Sequence, residues 1–324
     1  MSAPRRIRTP RLHRLRGALL AATAVLAGSL IASGCGSDAA SSPGAGGEIK
    51  VVATTNWHTD LAKLIGGDRV SVEGLMGPGV DPHLYVATAG DVKTLAGADV
   101  AIRNGLELEG KMDEVFEEIG RSTSVVSVGE AVPEERLIPI EGATGEFDPH
   151  IWFDPANWAL AAEAVAKAFK EADPDHADEY EERLADFQAE LDRTDEQIDE
   201  QIEAIPERSR VLVTSHDAFS YFAQAYGMEV EAIQGKSTAS EATTADIERV
   251  ADAIAAGNLA AVFIESSVPQ QTIDAVLAAA EQRGQQVRIG GELYGDALGD
   301  PGSPDGTYTG AVQHNADAIS KGLG

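Results

Sequence analysis

The 324-residue sequence contains a single cysteine, Cys35, and few basic residues. One cysteine cannot form an intramolecular disulfide or supply the several thiolates of a structural zinc site. Lysine and arginine number 25 against 53 aspartate and glutamate residues, which gives a formal net charge of -28. This charge argues against nucleic acid as a partner, because phosphate contacts need clustered cations. Any metal chemistry must therefore use histidine and carboxylate.

The sequence also lacks a comfortable transmembrane span, because its N-terminal apolar run, 18–32, is too short. Six arginines and no acid precede this run, and small residues separate it from Cys35, as in a secretory signal. The junction is similar to a bacterial lipobox, although alanine stands where leucine is commonest. We predict a lipoprotein signal peptide over 1–34, lipidation of Cys35 and a flexible tether over 35–47. The mature protein is then lipid-anchored on the extracytoplasmic face of the cell membrane.

From residue 48 onward, short β-branched runs alternate with helical stretches. Strands separated by crossover helices form parallel sheets that are covered on both faces. The pattern therefore predicts an α/β fold with two parallel-sheet lobes, residues 48–173 and 206–324. The strands are predicted over 49–54, 70–76, 100–103, 124–127, 210–214, 229–232, 260–265 and 287–289.

A long amphipathic helix is predicted between the lobes, over 174–205. Apolar residues recur there at steps of three, four and seven, which places them on one helical face. At about 1.5 Å per residue this helix is roughly 45 Å long, enough to join two lobes rigidly. An oligomerising coiled coil is the alternative, but barely four heptads, interrupted by Thr194, disfavour it. We expect a monomer.

Two histidines lie in the same short motif, Asp-Pro-His followed by an apolar and an aromatic residue. They are His83 and His150, each delivered after a proline that restricts the chain. A third, His216, follows a predicted strand, and strand ends of α/β sheets are where ligands bind. A carboxylate follows a later strand, with Glu292 and Asp296 as the two possibilities.

These motifs, in their order and spacing, resemble the zinc/manganese solute-binding lipoproteins of metal-importing ABC transporters, the cluster 9 metal-binding family. The resemblance extends from about residue 48 to residue 323 and includes the long helix and the lipoprotein leader. It implies one divalent metal ion in a cleft between the lobes, bound by His83, His150, His216 and Asp296. It also implies an ABC permease and its ATPase as partners.

The ligand set favours Zn²⁺ over Mn²⁺, because three imidazoles and one carboxylate suit zinc in a roughly tetrahedral site. Manganese-handling relatives resemble each other in placing glutamate where this chain has His216. Zinc-uptake relatives often carry a His-rich acidic loop that residues 133–147 lack, which weakens the preference for zinc. Mn²⁺ therefore remains the alternative.

Two further side chains are assigned secondary roles. Glu265 ends a predicted strand and either orients a metal ligand or bonds to the backbone. His58 is expected to be an exposed residue at a polar helix start. We expect a binding protein and no enzyme, because a fourth protein ligand would fill the position that water takes in a zinc enzyme. A secreted metalloenzyme is the rival interpretation, and an adhesin would not require four ligands.

Overall fold

The computed structural model describes residues 47–324; the predicted signal peptide, Cys35 and most of the tether lie outside the described residues. The first lobe alternates strands and helices, as the sequence predicts. Its elements are β1 (Ile49–Ala53), α1 (Asn56–Gly66), β2 (Val70–Gly74), α2 (Ala89–Ala96), β3 (Val100–Arg103), α3 (Asp113–Ile119) and β4 (Ser124–Ser127). The four strands form one parallel sheet in the order β2-β1-β3-β4.

Strand β1 lies inside this sheet and is buried on both faces. Val51 and Ala53 point into the main hydrophobic core. Val52, between them, packs on the opposite face with Leu95 of α2 and Phe116 of α3. Helices on both sides of the sheet explain why the last three residues of β1, Val51 to Ala53, are all apolar and buried rather than alternating with polar residues.

Two helices follow the first sheet. Helix α4 (Pro155–Ala172) begins at Asp154, whose side chain accepts from the N–H of Ala156. The predicted long helix starts with one 3-10 turn, Pro174–His176, and continues as the 27-residue helix α5 (Ala177–Glu203). The regular helix is therefore about 40 Å long at 1.5 Å per residue.

The second lobe repeats the alternation of strands and helices, but each of its sheets has only two strands among the described residues. Its elements are β5 (Val211–Thr214), α6 (Ser220–Tyr226), β6 (Glu229–Ala232), α7 (Thr244–Gly257), β7 (Ala261–Glu265), α8 (Gln271–Gln282), β8 (Arg288–Leu293) and α9 (Tyr308–Leu323). β5 pairs with β6 and β7 with β8, both in parallel. The two-lobe α/β architecture predicted from the sequence is confirmed.

Strand β8 is longer than the predicted strand over 287–289. It continues to Leu293 after a register shift opposite Val262 and Phe263. A Cβ atom at Gly290 would lie 2.8 Å from the Phe263 ring, so only glycine lets the strand pass this ring. The two glycines at 290 and 291 therefore belong to an irregular strand and do not mark its end.

Helix α5 packs against both lobes. Phe169 of α4 lies 5.7 Å from Tyr180 at its first turns, between ring centroids, and Tyr308 of α9 lies 6.1 Å from Phe187. In the described part of the chain, no helix combines the length and the apolar character needed to cross a membrane. The predicted apolar face is buried, and Thr194, which interrupts it, is buried as well. The residues of this face within α5 are Tyr180, Leu184, Phe187, Leu191, Ile198 and Ile202.

Candidate metal centre

The first Asp-Pro-His motif forms a turn between β2 and α2. Oδ1 of Asp81 accepts a hydrogen bond from the backbone N–H of His83 at 2.9 Å. The intervening proline restricts the chain and leaves this N–H as the available donor. His83 is buried, and neither of its ring nitrogens has a hydrogen-bond partner among the described residues. Its ring is therefore positioned by its backbone, and its nitrogens remain free to bind a metal ion.

The second Asp-Pro-His motif makes the same turn before α4. Oδ1 of Asp148 accepts from the backbone N–H of His150 at 3.0 Å and lies 2.7 Å from its ring Nδ1. Both side chains are fully buried. The contact to Nδ1 directs Nε2 of His150 away from Asp148, toward the other histidines. A carboxylate on the far nitrogen is the usual partner of a metal-binding imidazole.

His216 follows β5 and is held by Glu265, the last residue of β7. Oε1 of Glu265 accepts from the backbone N–H of His216 at 2.9 Å, and Oε2 lies 2.7 Å from Nδ1 of its ring. One oxygen of Glu265 thus bonds to the backbone and the other contacts the ring of His216. The role of Glu265 in orienting a metal ligand stays a prediction. Nε2 of His216 is left facing His150, whose Nε2 is 3.3 Å away.

Asp296 lies in the loop after β8 and completes the cluster. Its Oδ1 is 3.3 Å from Nε2 of His150, and its Oδ2 is 3.4 Å from Nε2 of His216. Neither distance corresponds to a well-aligned hydrogen bond within the described structure, and Asp296 is fully buried. Glu292, the alternative carboxylate, is exposed on β8 and lies outside the cluster.

The structure brings the four sequence-predicted ligand residues together. Each offers one nitrogen or oxygen atom, and these four atoms lie within 4.8 Å of one another. Buried nitrogen and oxygen atoms normally have hydrogen-bond partners, whereas His83 and Asp296 leave theirs without any. A divalent cation would satisfy these atoms, and the donor set of three imidazoles and one carboxylate fits such an ion. The residues are His83, His150, His216 and Asp296.

Burial and neighbouring charges shift the pKa values of two candidate histidines in opposite directions. Burial lowers the pKa of His83 to about 3, so this imidazole is neutral and ready to bind a metal. Burial acts in the same direction on His216, but Glu265 and Asp296 outweigh it and hold the pKa of His216 well above its ordinary value. A metal binds only deprotonated imidazole nitrogen, so a raised pKa makes protons competitors of the metal ion at His216.

The expectation for His58 is wrong. Its side chain is fully buried, because α1 turns this face toward α4, where the ring of Trp158 lies 5.8 Å away. Nδ1 of His58 lies 2.8 Å from Oγ1 of Thr55, and burial lowers the pKa of His58 to about 3. His58 is therefore a neutral core residue outside the cluster.

Two other histidines also lie away from the cluster. Nδ1 of His176 is 2.7 Å from Asp173 at the start of the long helix. Nε2 of His314 is 3.1 Å from the backbone oxygen of Glu292. Sequence reasoning did not identify Asp148 as the partner of a histidine ring. The repeated aspartate two residues before each histidine was the available signal.

The chain is similar to known metal-binding proteins. The family model described as "Zinc-uptake complex component A periplasmic" (ZnuA) matches residues 51–322. The manganese-binding lipoprotein MntA of Bacillus subtilis (strain 168) is 44% identical over 310 residues, covering 95% of this chain and 100% of that protein. The zinc-binding protein TroA of Treponema pallidum (strain Nichols) is 46% identical over 279 residues, covering 86% of this chain and 90% of that protein.

A solved structure extends this similarity to the fold. The periplasmic zinc binding protein TroA from Treponema pallidum superposes with a TM-score of 0.84 and 45% sequence identity. The match covers 86% of this chain and 99% of that chain. The sequence matches and the structural match thus cover nearly all of the described residues. The chain belongs to the ZnuA family, the metal-binding substrate-binding proteins of ABC transporters for metal uptake.

Proposed function

We propose that this protein captures one divalent transition-metal ion through His83, His150, His216 and Asp296 and delivers it to an ABC permease driven by its ATPase. The observation that supports this most strongly is the convergence of four buried ligand atoms within 4.8 Å. Two ligands come from loops of the first lobe and two from loops of the second. The metal ion is cargo, held between the lobes until the permease receives it.

We propose Zn²⁺ as the preferred cargo and Mn²⁺ as the alternative. Three imidazole nitrogens and one carboxylate oxygen form a borderline-soft set that suits zinc. The names of the two relatives support different metals, because MntA is named for manganese and TroA for zinc. Elemental analysis of protein purified without chelator, followed by competition between Zn²⁺ and Mn²⁺, tests the choice. We expect zinc, and a sample loaded mainly with manganese would support the alternative.

We propose that the mature protein acts on the extracytoplasmic face of the membrane, with Cys35 as its lipid anchor and 35–47 as the tether. Related proteins such as MntA are named lipoproteins. The mature protein would be a monomer that consists of two lobes, residues 48–173 and 206–324, joined by the helix over 174–205. A catalytic role is not proposed, because Asp296 would occupy the ligand position that water takes in a zinc enzyme.

Replacing one ligand tests the site. We expect His216→Ala to weaken Zn²⁺ binding by more than about 100-fold, because even a residue behind a ligand changes affinity by about 10–100-fold. Titration calorimetry measures the affinity and the stoichiometry. His314→Ala is the matched control, because His314 lies outside the cluster. Unchanged zinc affinity in the His216 variant would remove His216 from the site.

A further inference from the structure

Both Asp-Pro-His turns contact the same short segment of the second lobe, residues 236–238 between β6 and α7. Oδ2 of Asp81 accepts a hydrogen bond from Oγ1 of Thr238 at 2.5 Å. Oδ2 of Asp148 lies 2.7 Å from Nζ of Lys236. In each turn, one carboxylate oxygen holds the backbone of the histidine and the other crosses the cleft.

The segment is attached to the loop that carries His216. The backbone N–H of Gln234 donates to the carbonyl oxygen of Ser215 at 3.0 Å, and that of Asp217 donates to the carbonyl oxygen of Gly235 at 3.2 Å. Residues 236–238 therefore lie beside one metal-binding loop of the second lobe while contacting both metal-binding turns of the first. Three of the four candidate ligands are connected through them.

Lys236 is held in place by its own lobe. Its Nζ lies 2.8 Å from Asp217 and also contacts Oγ of Ser220. The side chain is largely buried, with 15% of its surface exposed, and Asp148 is fully buried. A carboxylate from each lobe thus shares one ammonium group. Without this charge, Asp148 and Asp217 would repel each other across the cleft in a poorly solvated environment.

We propose that Lys236 and Thr238 form an interlobe latch, in which they hold the two Asp-Pro-His turns against the second lobe and so slow the release of the metal ion. The inference rests on the proposed function, since it concerns release of the same cargo. Both are positioning residues, because they act on His83 and His150 through Asp81 and Asp148. Opening the cleft separates both contacts together, so the latch resists opening with an ion pair and a hydrogen bond at once.

The test measures how fast Zn²⁺ leaves the purified protein when a fluorescent chelator is added in excess. We expect release to be about 10–100-fold faster in Lys236→Met and in Thr238→Val, the range for partners behind a ligand. The association rate should change much less, because the ligands themselves are intact. One zinc ion per protein should still bind at saturating concentration.

Three comparisons make the result specific. Thr238→Ser keeps the hydroxyl and should release zinc at the wild-type rate. Lys321→Met removes an exposed lysine of α9 and should also leave the rate unchanged. Thermal unfolding of each variant in the presence of chelator tests whether a faster rate reflects general destabilisation, which would lower the melting temperature by several degrees.

The outcomes separate the latch from the proposed function. Faster release in both test variants, with wild-type stoichiometry and melting temperature, supports the latch. Release within about twofold of wild type in both variants overturns it, as does equally fast release in Thr238→Ser or Lys321→Met. If the wild-type protein itself binds no zinc or manganese, the proposed function fails, whatever the variants do. Should Lys236→Met not fold, the Thr238 pair of variants decides.

Discussion

The backbone of Gly295 passes close to the carboxylate that contacts His216. A Cβ atom at this position would lie 2.6 Å from Oε2 of Glu265. The adjacent residue is the candidate ligand Asp296, and the carbonyl oxygen of Gly295 accepts from the indole N–H of Trp152 at 3.2 Å. Asp296 and the hydrogen bond from Trp152 restrict movement of the loop backbone. A methyl group added at Gly295 would therefore displace the Glu265 carboxylate.

We therefore expect Gly295→Ala to weaken zinc binding by about 10–100-fold, the range for losing a partner that orients a metal ligand. Titration calorimetry measures the affinity. Gly77→Ala is the matched control, because a Cβ atom at Gly77 meets no atom within 4 Å. Wild-type affinity in the Gly295 variant would indicate that Glu265 does not orient His216 for metal binding.

The candidate ligands have local signals in the sequence, but only the family resemblance selected Asp296 over Glu292. Proline precedes His83 and His150, and a strand precedes His216 and Asp296. The contacts behind them have no such signal, since Asp81 and Thr238 are 157 residues apart. The burial of His58 was missed for the same reason. It depends on packing against α4, a helix that begins about a hundred residues later in the chain.

Among the elements, helix α5 combines a buried apolar face with an exposed acidic one. Its exposed acids include Glu182, Asp186, Glu196 and Glu200. Charges on a solvated surface are screened within about 8 Å at physiological salt. The four candidate ligands are buried between the lobes and lie on loops outside this helix. The acidic face should therefore contribute to solubility and hardly to metal binding.

Replacing Glu182, Glu196 and Glu200 with glutamine and Asp186 with asparagine should change zinc affinity less than about threefold at physiological salt. Titration calorimetry of the quadruple variant measures this. Repeating the titration at low salt provides a control, because any long-range attraction would increase there. A tenfold loss at physiological salt would contradict the screening argument and give the helix a direct part in metal capture.

Several element boundaries could be predicted because capping residues mark them. Thr88 and Thr243 each accept a hydrogen bond from the N–H three residues on, and Asp91 and Asp246 complete the two capping boxes. Helices α2 and α7 begin at 89 and 244, directly after these threonines. The end of β8 could not be predicted, because its bulge depends on the ring of Phe263 in the neighbouring strand.

At the scale of the whole molecule, a partly buried aspartate joins the lobes. Oδ2 of Asp60, on α1, accepts from the backbone N–H of Tyr308 at the start of α9 with a distance of 2.8 Å. Burial raises the pKa of Asp60 from 3.8 to about 6, although the bond from Tyr308 opposes this shift. The folded protein therefore holds this proton to higher pH than the unfolded chain does.

Asp60 consequently costs stability as the pH rises from 3.8 to about 6, and the cost is complete above that range. We expect Asp60→Asn to increase the free energy of unfolding by up to about 3 kcal/mol at pH 8 and to have little effect near pH 4. Urea unfolding with chelator present, at several pH values, measures the difference. Asp300→Asn, on the exposed surface, is the control. If Asp60→Asn increased the free energy of unfolding equally at every pH, the titration of Asp60 would be excluded as the cause.

The sequence by itself determined the α/β alternation, the long amphipathic helix and the three candidate histidines, because periodicity, capping residues and proline act over a few neighbouring positions. Its resemblance to the family added Asp296. The tertiary structure decided that Glu265 contacts His216 with both oxygens, that His58 lies in the core, and that residues 236–238 contact both Asp-Pro-His turns. These contacts join residues far apart in the chain. They form only when packing of the lobes against α5 brings their loops together. A local sequence pattern does not predict contacts between residues so far apart in the chain.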